Sequence, residues 1–149
     1  MPAELTVRPA TLDDDPDRIF DLLWQLAPSD DRPAPDALAG AWRDLHAQPG
    51  RTLLLAFLGP RLVGTVDTLV APNLTHGARP FMLVENVVVD HAARRQGVAA
   101  ALMRSAVDSA RSANCYKIQL VSNHRRVEAH RFYESAGFTP SATGYRRYL

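Results

Sequence analysis

One short segment of the chain, residues 94–99, combines cationic side chains with small residues at the expected start of a helix. Backbone amides at a helix start lack hydrogen-bond partners, and the helix dipole adds positive character there. Such a place binds phosphate groups, and arginine adds charge-assisted hydrogen bonds. The segment predicts a phosphate or diphosphate site, with an exposed basic turn as the alternative. Its residues are Arg94, Arg95, Gln96, Gly97, Val98 and Ala99.

The spacing within this segment differs from that of two common phosphate loops. The chain shows neither the G-x-x-x-x-G-K-[ST] pattern nor the G-x-G-x-x-G pattern. A P-loop and a Rossmann dinucleotide site are therefore disfavoured. We expect no metal, because His46, His76, His91 and His124 show no ligand spacing with acidic residues.

The elements that must position the segment follow from hydrophobic periodicity and from helix-start signals. Asp15 and Pro16 indicate a helix start, and Gly137 indicates a helix end. The predicted order is β-α-α-β-β-β-α-β-α-β, which indicates the α/β class with a single mixed, mostly antiparallel sheet and helices on both faces. The predicted strands cover residues 5–8, 52–58, 62–70, 81–89, 116–121 and 145–149, and the predicted helices contain Ile19–Leu26, Leu38–Leu45, Val98–Ala110 and Ala129–Ala136.

Composition sets limits on partners and compartment. A chain of 149 residues fits a single domain, residues 1–149. Its 17 Lys and Arg residues balance 16 Asp and Glu residues, which disfavours nucleic acid as a partner. No apolar stretch is long enough to cross a bilayer, so no membrane association is expected. The single cysteine, Cys115, and the absence of a signal-peptide pattern in residues 1–8 predict a cytoplasmic protein.

Two motifs together identify a family. Residues 94–99 match the pattern Q/R-x-x-G-x-G/A, and residues 132–138 read F-Y-E-S-A-G-F. With this element order, the chain resembles the GCN5-related N-acetyltransferase (GNAT) superfamily over essentially its whole length. The resemblance implies the acyl-CoA N-acyltransferase fold, acetyl-CoA as cosubstrate and a possible homodimer. Residues 85–89 and 115–118 resemble, more weakly, the glucosamine-6-phosphate N-acetyltransferase branch, which more often has Asp where this chain has Asn86.

The resemblance assigns the donor side of the reaction to particular residues. It implies that the pantetheine arm of acetyl-CoA pairs with the backbone of Val87, Val88 and Val89. It also implies that the diphosphate lies on the amides of the turn ending at Ala99. Many members of the superfamily have an asparagine seven residues before the tyrosine of the F-Y-E motif, where this chain has Arg126. Asn123, three residues earlier, is the candidate for a similar role, with no such role as the alternative.

Two side chains are candidates for proton transfer in this reaction. Glu85 could accept the proton of the amine, although it could instead face solvent or form a structural ion pair. It lies in an apolar run, where a carboxylate is costly to bury without a partner. Tyr133 resembles the family tyrosine that protonates the departing thiolate, with a core tyrosine as the alternative. Cys115 is interpreted as a packing residue.

The acceptor side is open at this stage. The resemblance implies an acetyl transfer to the primary amine of a small molecule such as an amino sugar, aminoglycoside, amino acid or polyamine. A protein or peptide acetyltransferase and a non-catalytic CoA-binding module are the alternatives. The acceptor pocket is expected from residues 26–35, residues 69–79 and the C-terminal tail. Its candidate charges are Asp30, Asp31 and Asp36 for a cationic amine, and Arg32 or Arg79 for a phosphate or carboxylate, although these loops could simply be solvated.

Overall fold

The computed structural model describes residues 1–28 and 31–149. By their internal contacts they form two compact units, residues 1–119 and 120–149, and the prediction of a single domain stays a prediction. Five strands lie in one sheet in the order β1-β2-β3-β4-β5. They are β1 (Leu5–Pro9), β2 (Arg51–Leu58), β3 (Arg61–Ala71), β4 (Phe81–Val89) and β5 (Ile118–Leu120), and the helices are α1 (Pro16–Trp24), α2 (Pro35–Ala47), α3 (Val98–Ser112) and α4 (Val127–Ser135).

The sheet is mixed, as predicted. The first three strand pairs are antiparallel. Between β4 and β5 the hydrogen bonds advance along both strands together, from the Tyr116 amide to the Pro80 carbonyl and then from the Met82 amide to the Lys117 carbonyl. That direction is parallel, as expected for two strands joined by a crossover helix. The crossover helix is α3.

Local signals explain the start of α1 and the depth of β2. The Asp15 carboxylate accepts a hydrogen bond of 2.9 Å from the Asp17 amide, and Pro16 occupies the first helical position. The four central residues of β2 are all buried, as expected for a strand covered on both faces. Both features agree with the sequence prediction.

Helices cover both faces of the sheet, as predicted. On one face Ile19 of α1 and Trp42 of α2 pack against Leu55 and its neighbours in β2. Gly64 of β3 pairs with Ala56, which alternates with Leu55 and so lies on the opposite face. A Cβ atom added at Gly64 would lie only 2.8 Å from the Val98 side chain, so α3 packs directly on that second face.

Residues 120–149 contain the helix α4, and one prediction for this segment is wrong. Helix α4 ends before Gly137, whose φ of 95° is the left-handed conformation expected of a residue that terminates a helix. The strand predicted at residues 145–149 is wrong, because no regular element follows α4. Tyr145 and Tyr148 are exposed, and none of the described residues pairs with their backbone as a strand. No helix of the described segments is both long and apolar enough to cross a membrane.

Candidate active site

A β-bulge interrupts β4 at its centre. Two residues of β4, Asn86 and Val87, lie opposite the single residue Val66 of β3. Asn86 takes a φ of 52°, which asparagine tolerates better than most residues. Such a bulge leaves an extra residue outside the hydrogen-bond ladder and re-aims the side chains around it. Strand β4, to which the sequence analysis assigned acetyl-CoA binding, is therefore irregular at Val87, the first of its three valines.

Glu85 lies immediately before the bulge and is exposed. This exposure agrees with the alternative that Glu85 faces solvent, because the bulge breaks the alternation of β4 and leaves both Glu85 and Asn86 at the surface. The Glu85 side chain forms no hydrogen bond or ion pair with any residue in 1–28 or 31–149, so the structural ion pair offered as another alternative is absent from that part of the chain.

A buried carboxylate that the sequence analysis missed lies across from Glu85. Asp67 of β3 is the cross-strand partner of Glu85 and is 5% exposed. Two hydrogen bonds of 2.6 and 3.1 Å from the Arg51 guanidinium hold its carboxylate. The ion pair with Asp67 raises the pKa of Arg51 above its ordinary value. An aspartate inside an otherwise apolar strand was the available signal, since buried acids require a partner.

Polar contacts fix the segment between β4 and the basic turn. The Asp90 side chain accepts a hydrogen bond of 2.9 Å from the Ala92 amide and receives the Arg61 guanidinium at 3.3 Å. The amide of His91 donates to the side-chain oxygen of Gln25 over 3.1 Å. Gln25 directly follows α1, so this bond ties the end of α1 to the start of the turn.

The basic turn presents open backbone amides. Arg94, Arg95 and Gln96 are exposed, and Gly97 adopts a left-handed φ of 78° at the position before α3. No side chain of the described residues caps the first turn of α3. A Cβ atom built at Gly97 meets nothing within 4 Å, whereas Val98 is buried and fixes the helix on the sheet. The arrangement fits an anion, because the first amides of a helix lack helical partners and two exposed arginines adjoin them in the chain.

The valines before the turn differ in burial. Val88 is 7% exposed, whereas Val87 and Val89 are half-buried. Val89 pairs with Gly64 of β3, so the strand rejoins its ladder after the bulge.

The second unit holds two further candidates, each with local contacts. Tyr133 is 7% exposed, and its ring lies 5.5 Å from that of Phe132 and 6.0 Å from that of Phe138. The Asn123 side-chain oxygen accepts a hydrogen bond of 3.0 Å from the Arg125 amide. The Asn123 carbonyl accepts another of 2.8 Å from His130 Nε2, which orders the start of α4. This contact gives His130 a structural role.

Of the charges expected in the acceptor pocket, the two arginines are engaged by other residues, whereas the described aspartates are exposed. Asp30 lies outside the described residues, and Asp31 and Asp36 are exposed. The Arg79 guanidinium donates to the carbonyls of Asn114 and Cys115 at 3.2 and 3.0 Å, so it closes a loop.

Arg32 is also engaged. It forms ion pairs with Asp17 and Asp21 of α1 and stacks over the Phe20 ring at 4.8 Å. Both carboxylates of α1 therefore share this one guanidinium.

Two open cavities flank α1. The first has a volume of about 220 Å³ and a polar wall that includes Gln25 and Asp90. The second has a volume of about 210 Å³ and reaches the β4 bulge. Its walls are apolar apart from the bulge residue, and they comprise Phe20, Leu23, Trp24, Leu26, Ala27 and Asn86.

The described side chains that could bind a metal are dispersed, and the thiol of Cys115 is partly covered. Among residues 1–28 and 31–149, no three His, Cys, Asp or Glu side chains are grouped closely enough to hold a metal ion. Cys115 is half-buried, and burial raises the pKa of its thiol. A raised pKa makes the nucleophilic thiolate scarcer at neutral pH, in agreement with the interpretation of Cys115 as a packing residue.

Known proteins resemble this chain in sequence. A sequence model described as the acetyltransferase (GNAT) family matches residues 17–138, most of the chain. The chain belongs to the acetyltransferase (GNAT) family. This GNAT protein is 36% identical over 78 residues to a glucosamine 6-phosphate N-acetyltransferase of Trypanosoma brucei brucei, a match over 52% of this chain and about half, 51%, of that relative. The predicted family, its weaker glucosamine 6-phosphate likeness and the acyltransferase class are thereby confirmed.

Solved structures support the same fold for this GNAT protein. A candidate acetyltransferase of Agrobacterium tumefaciens str. C58 is 33% identical, with a TM-score of 0.89 over 97% of this chain and 99% of that one. A transcriptional regulator from Bacillus halodurans C-125 is 28% identical, with a TM-score of 0.91 over 98% of this chain and its own full length, 100%. The predicted acyl-CoA N-acyltransferase fold is confirmed.

Proposed function

We propose that this GNAT protein transfers an acetyl group from acetyl-CoA directly to the primary amine of a small molecule. The observation that carries the proposal is the open turn at Gly97, where uncapped amides of α3 lie beside two exposed arginines. A diphosphate fits this turn because its oxygens accept hydrogen bonds from amides and guanidinium groups alike. Val87, Val88 and Val89 supply the strand backbone for the pantetheine arm.

The remaining donor contacts are assigned by family resemblance. We assign the diphosphate contacts to the segment from Arg94 through Arg95, Gln96, Gly97 and Val98 to Ala99. Asn123 is assigned to the donor side in the second unit, although its side-chain oxygen already accepts from the Arg125 amide.

The chemistry requires a proton to leave the amine before attack. An alkylammonium has no free electron pair, so one N–H proton passes to a base, either directly or through water. The amine nitrogen then bonds to the thioester carbonyl carbon, and the C–S bond breaks with its electrons on sulfur. The CoA thiolate takes up a proton, and a second N–H proton leaves to give the neutral amide.

Two side chains are assigned to these proton transfers. Glu85 is the proposed base, because its exposed carboxylate lies beside the bulge and is not committed to an ion pair with the described residues. Tyr133 is the proposed acid for the thiolate. Hydrogen-bond donors near the carbonyl oxygen stabilise its developing charge, and the amide of Val87 is the proposed donor.

The acceptor is proposed as a small molecule because the relative in Trypanosoma brucei brucei is named for an amino sugar phosphate. A peptide or protein acceptor and a non-catalytic CoA-binding role are the alternatives, the latter because a relative in Bacillus halodurans is named as a transcriptional regulator. A cytoplasmic location and a homodimer stay predictions, which fractionation and light scattering can test.

The proposal is tested by acetyl-CoA binding and by CoA release with a panel of amines. We expect acetyl-CoA to raise the melting temperature and free CoA to appear only with an amine. Glu85→Gln should lower kcat by about 10²-fold or more, as removal of a general base does. Glu4→Gln, an exposed carboxamide replacement outside the site, is the matched control. Absence of acetyl-CoA binding would refute the proposal, and binding without transfer to any amine would favour the non-catalytic module.

A further inference from the structure

The apolar cavity beside the bulge has walls that suit a hydrophobic group. Phe20, Leu23 and Trp24 of α1 form one side, and the residues Leu26 and Ala27 continue it. Trp24 is 47% exposed although its side chain is large and apolar. Tryptophan placed at an open cavity gives a large contact surface at low entropy cost, which is why it is frequent in binding sites.

The cavity adjoins the place where acetyl transfer is proposed. Asn86, the bulge residue with a left-handed backbone, forms its polar wall. The proposed base Glu85 precedes Asn86, and the proposed donor strand begins at Val87. A molecule that fills the cavity therefore contacts Asn86, the residue between the proposed base and the first residue of the proposed donor strand.

Charge around the cavity favours a single cationic centre. Asp17 and Asp21, the acidic residues on α1, both form ion pairs with Arg32, whose guanidinium also covers the Phe20 ring. Asp67 is buried in its pair with Arg51. Among the described residues at the bulge, the carboxylate left to face an ammonium group is that of Glu85. A polyamine or aminoglycoside carries several charges, and one carboxylate cannot match them.

Size supports the same conclusion. The cavity measures about 210 Å³, and an apolar cavity of about 150 Å³ is known to hold benzene. One ring with a short alkyl arm therefore fits between the walls, whereas a body of several sugar rings would extend beyond them into solvent. A sugar phosphate would also place hydroxyl groups against apolar walls without partners, which is unfavourable.

We infer that the acceptor is a primary monoamine on one aromatic or compact aliphatic body, of the arylalkylamine type. The body occupies the cavity between α1 and the bulge, and the amine faces Glu85. This inference rests on the proposed acetyl transfer. It names the substrate class of that site, and it distinguishes the amines that the family resemblance leaves open.

The test compares amines that share a reactive group and differ in body. Initial rates of CoA release are measured with phenethylamine, ethylamine, glucosamine 6-phosphate, spermidine and kanamycin. We expect kcat/KM for phenethylamine to exceed that of every other amine by about tenfold or more, because a buried apolar group discriminates on this scale.

Variants then link the preference to the cavity. Trp24→Ala should lower kcat/KM about tenfold for phenethylamine and less than about twofold for ethylamine, because only the larger body loses contacts. Ala27→Leu, which fills the cavity, should give the same pattern. Leu12→Ala removes another exposed apolar side chain outside the cavity walls and should change neither rate. Melting temperatures verify that each variant is folded.

The outcomes separate this inference from the proposed function. Preferred turnover of spermidine, kanamycin or glucosamine 6-phosphate overturns the inference and leaves acetyl transfer standing. Equal losses for phenethylamine and ethylamine in both cavity variants also overturn it, since the cavity would then not hold the body. If acetyl-CoA fails to bind, the proposed function fails and the inference falls with it. Binding without transfer to any amine overturns both.

Discussion

Replacement of Gly64 by alanine should disturb the donor turn from inside the sheet. An alanine Cβ at this position would lie 2.8 Å from Val98 Cγ1, 3.0 Å from Leu102 Cδ1 and 3.3 Å from the Val88 carbonyl oxygen. Val98 and Leu102 are 2% and 0% exposed, so neither side chain has free space beside it. Helix α3 must therefore move away from β3. Val98 is its first residue, so the amides at the turn move as well.

The size of the effect follows from the packing. Overpacking a dense core costs about 1–3 kcal/mol, and replacing glycine in a strand returns roughly 0.5–1 kcal/mol. The net loss in the free energy of unfolding is then about 1–2 kcal/mol, which lowers the melting temperature by roughly 2–8 °C in a domain of this length. Loss of one amide hydrogen bond to a charged phosphate costs about 1.5–3 kcal/mol. Acetyl-CoA binding should therefore weaken about tenfold or more.

Urea unfolding and titration calorimetry with acetyl-CoA measure these two effects. Gly40→Ala is the matched control, because the nearest atom to its added Cβ is the Arg43 guanidinium at 4.0 Å and the site lies within α2. Alanine there should raise stability by up to about 1 kcal/mol and leave binding unchanged. If Gly64→Ala is as stable as the natural protein and binds acetyl-CoA equally well, close packing does not position the turn.

Three further predictions concern the turn, the buried ion pair and pH. Gly97→Ala and Gly77→Ala both place alanine at a left-handed φ in open space. Thermal unfolding should therefore show a similar loss of stability, about 1 kcal/mol, for both variants. Titration calorimetry should show weaker acetyl-CoA binding only for Gly97→Ala. Arg51→Met leaves the Asp67 carboxylate buried without its partner, so urea unfolding should show a free energy of unfolding lower by about 2–3 kcal/mol. The second substitution Asp67→Leu should restore most of this stability. An Arg51→Met variant as stable as the natural protein would contradict the prediction. Bonding to the Arg8 guanidinium lowers the pKa of Asp14 from 3.8 to about 2, so this carboxylate stabilises the fold above pH 3.8 and its contribution disappears as the pH falls from there towards 2. Asp14→Asn should lower the free energy of unfolding by about 1 kcal/mol at pH 7 and make it depend less on pH between pH 4 and 2. If the variant shows the same decrease in stability between pH 4 and 2 as the natural protein, Asp14 is not the source of that decrease.

Structural features that depend on residues close together in the sequence were predictable. The Asp15 cap, the deep burial of β2 and the left-handed Gly137 all depend on residues within a few positions of one another. The basic turn was also predictable, because its cations, its glycine and the helix that follows are contiguous. The fold class and the family could be predicted from these local signals.

Features that depend on distant partners were missed. Residues 145–149 have a strand-like composition, but a strand forms only where another strand pairs with it. The Asp67–Arg51 pair joins two strands, and no local pattern announces it. The bulge at Asn86 required the register of β3 to be known, although asparagine in a strand was a weak signal. Gly64 was the clearest overlooked signal, because an isolated glycine in a strand often marks a close approach.

The central claim is that the protein moves an acetyl group from acetyl-CoA to an amine. Mass spectrometry of a reaction containing isotopically labelled acetyl-CoA and phenethylamine tests it most directly. The account predicts labelled N-acetyl amide and free CoA in equal amounts, with the Glu85→Gln variant forming far less of both. Labelled acetyl-CoA that remains intact with phenethylamine and with every amine of the panel would contradict it.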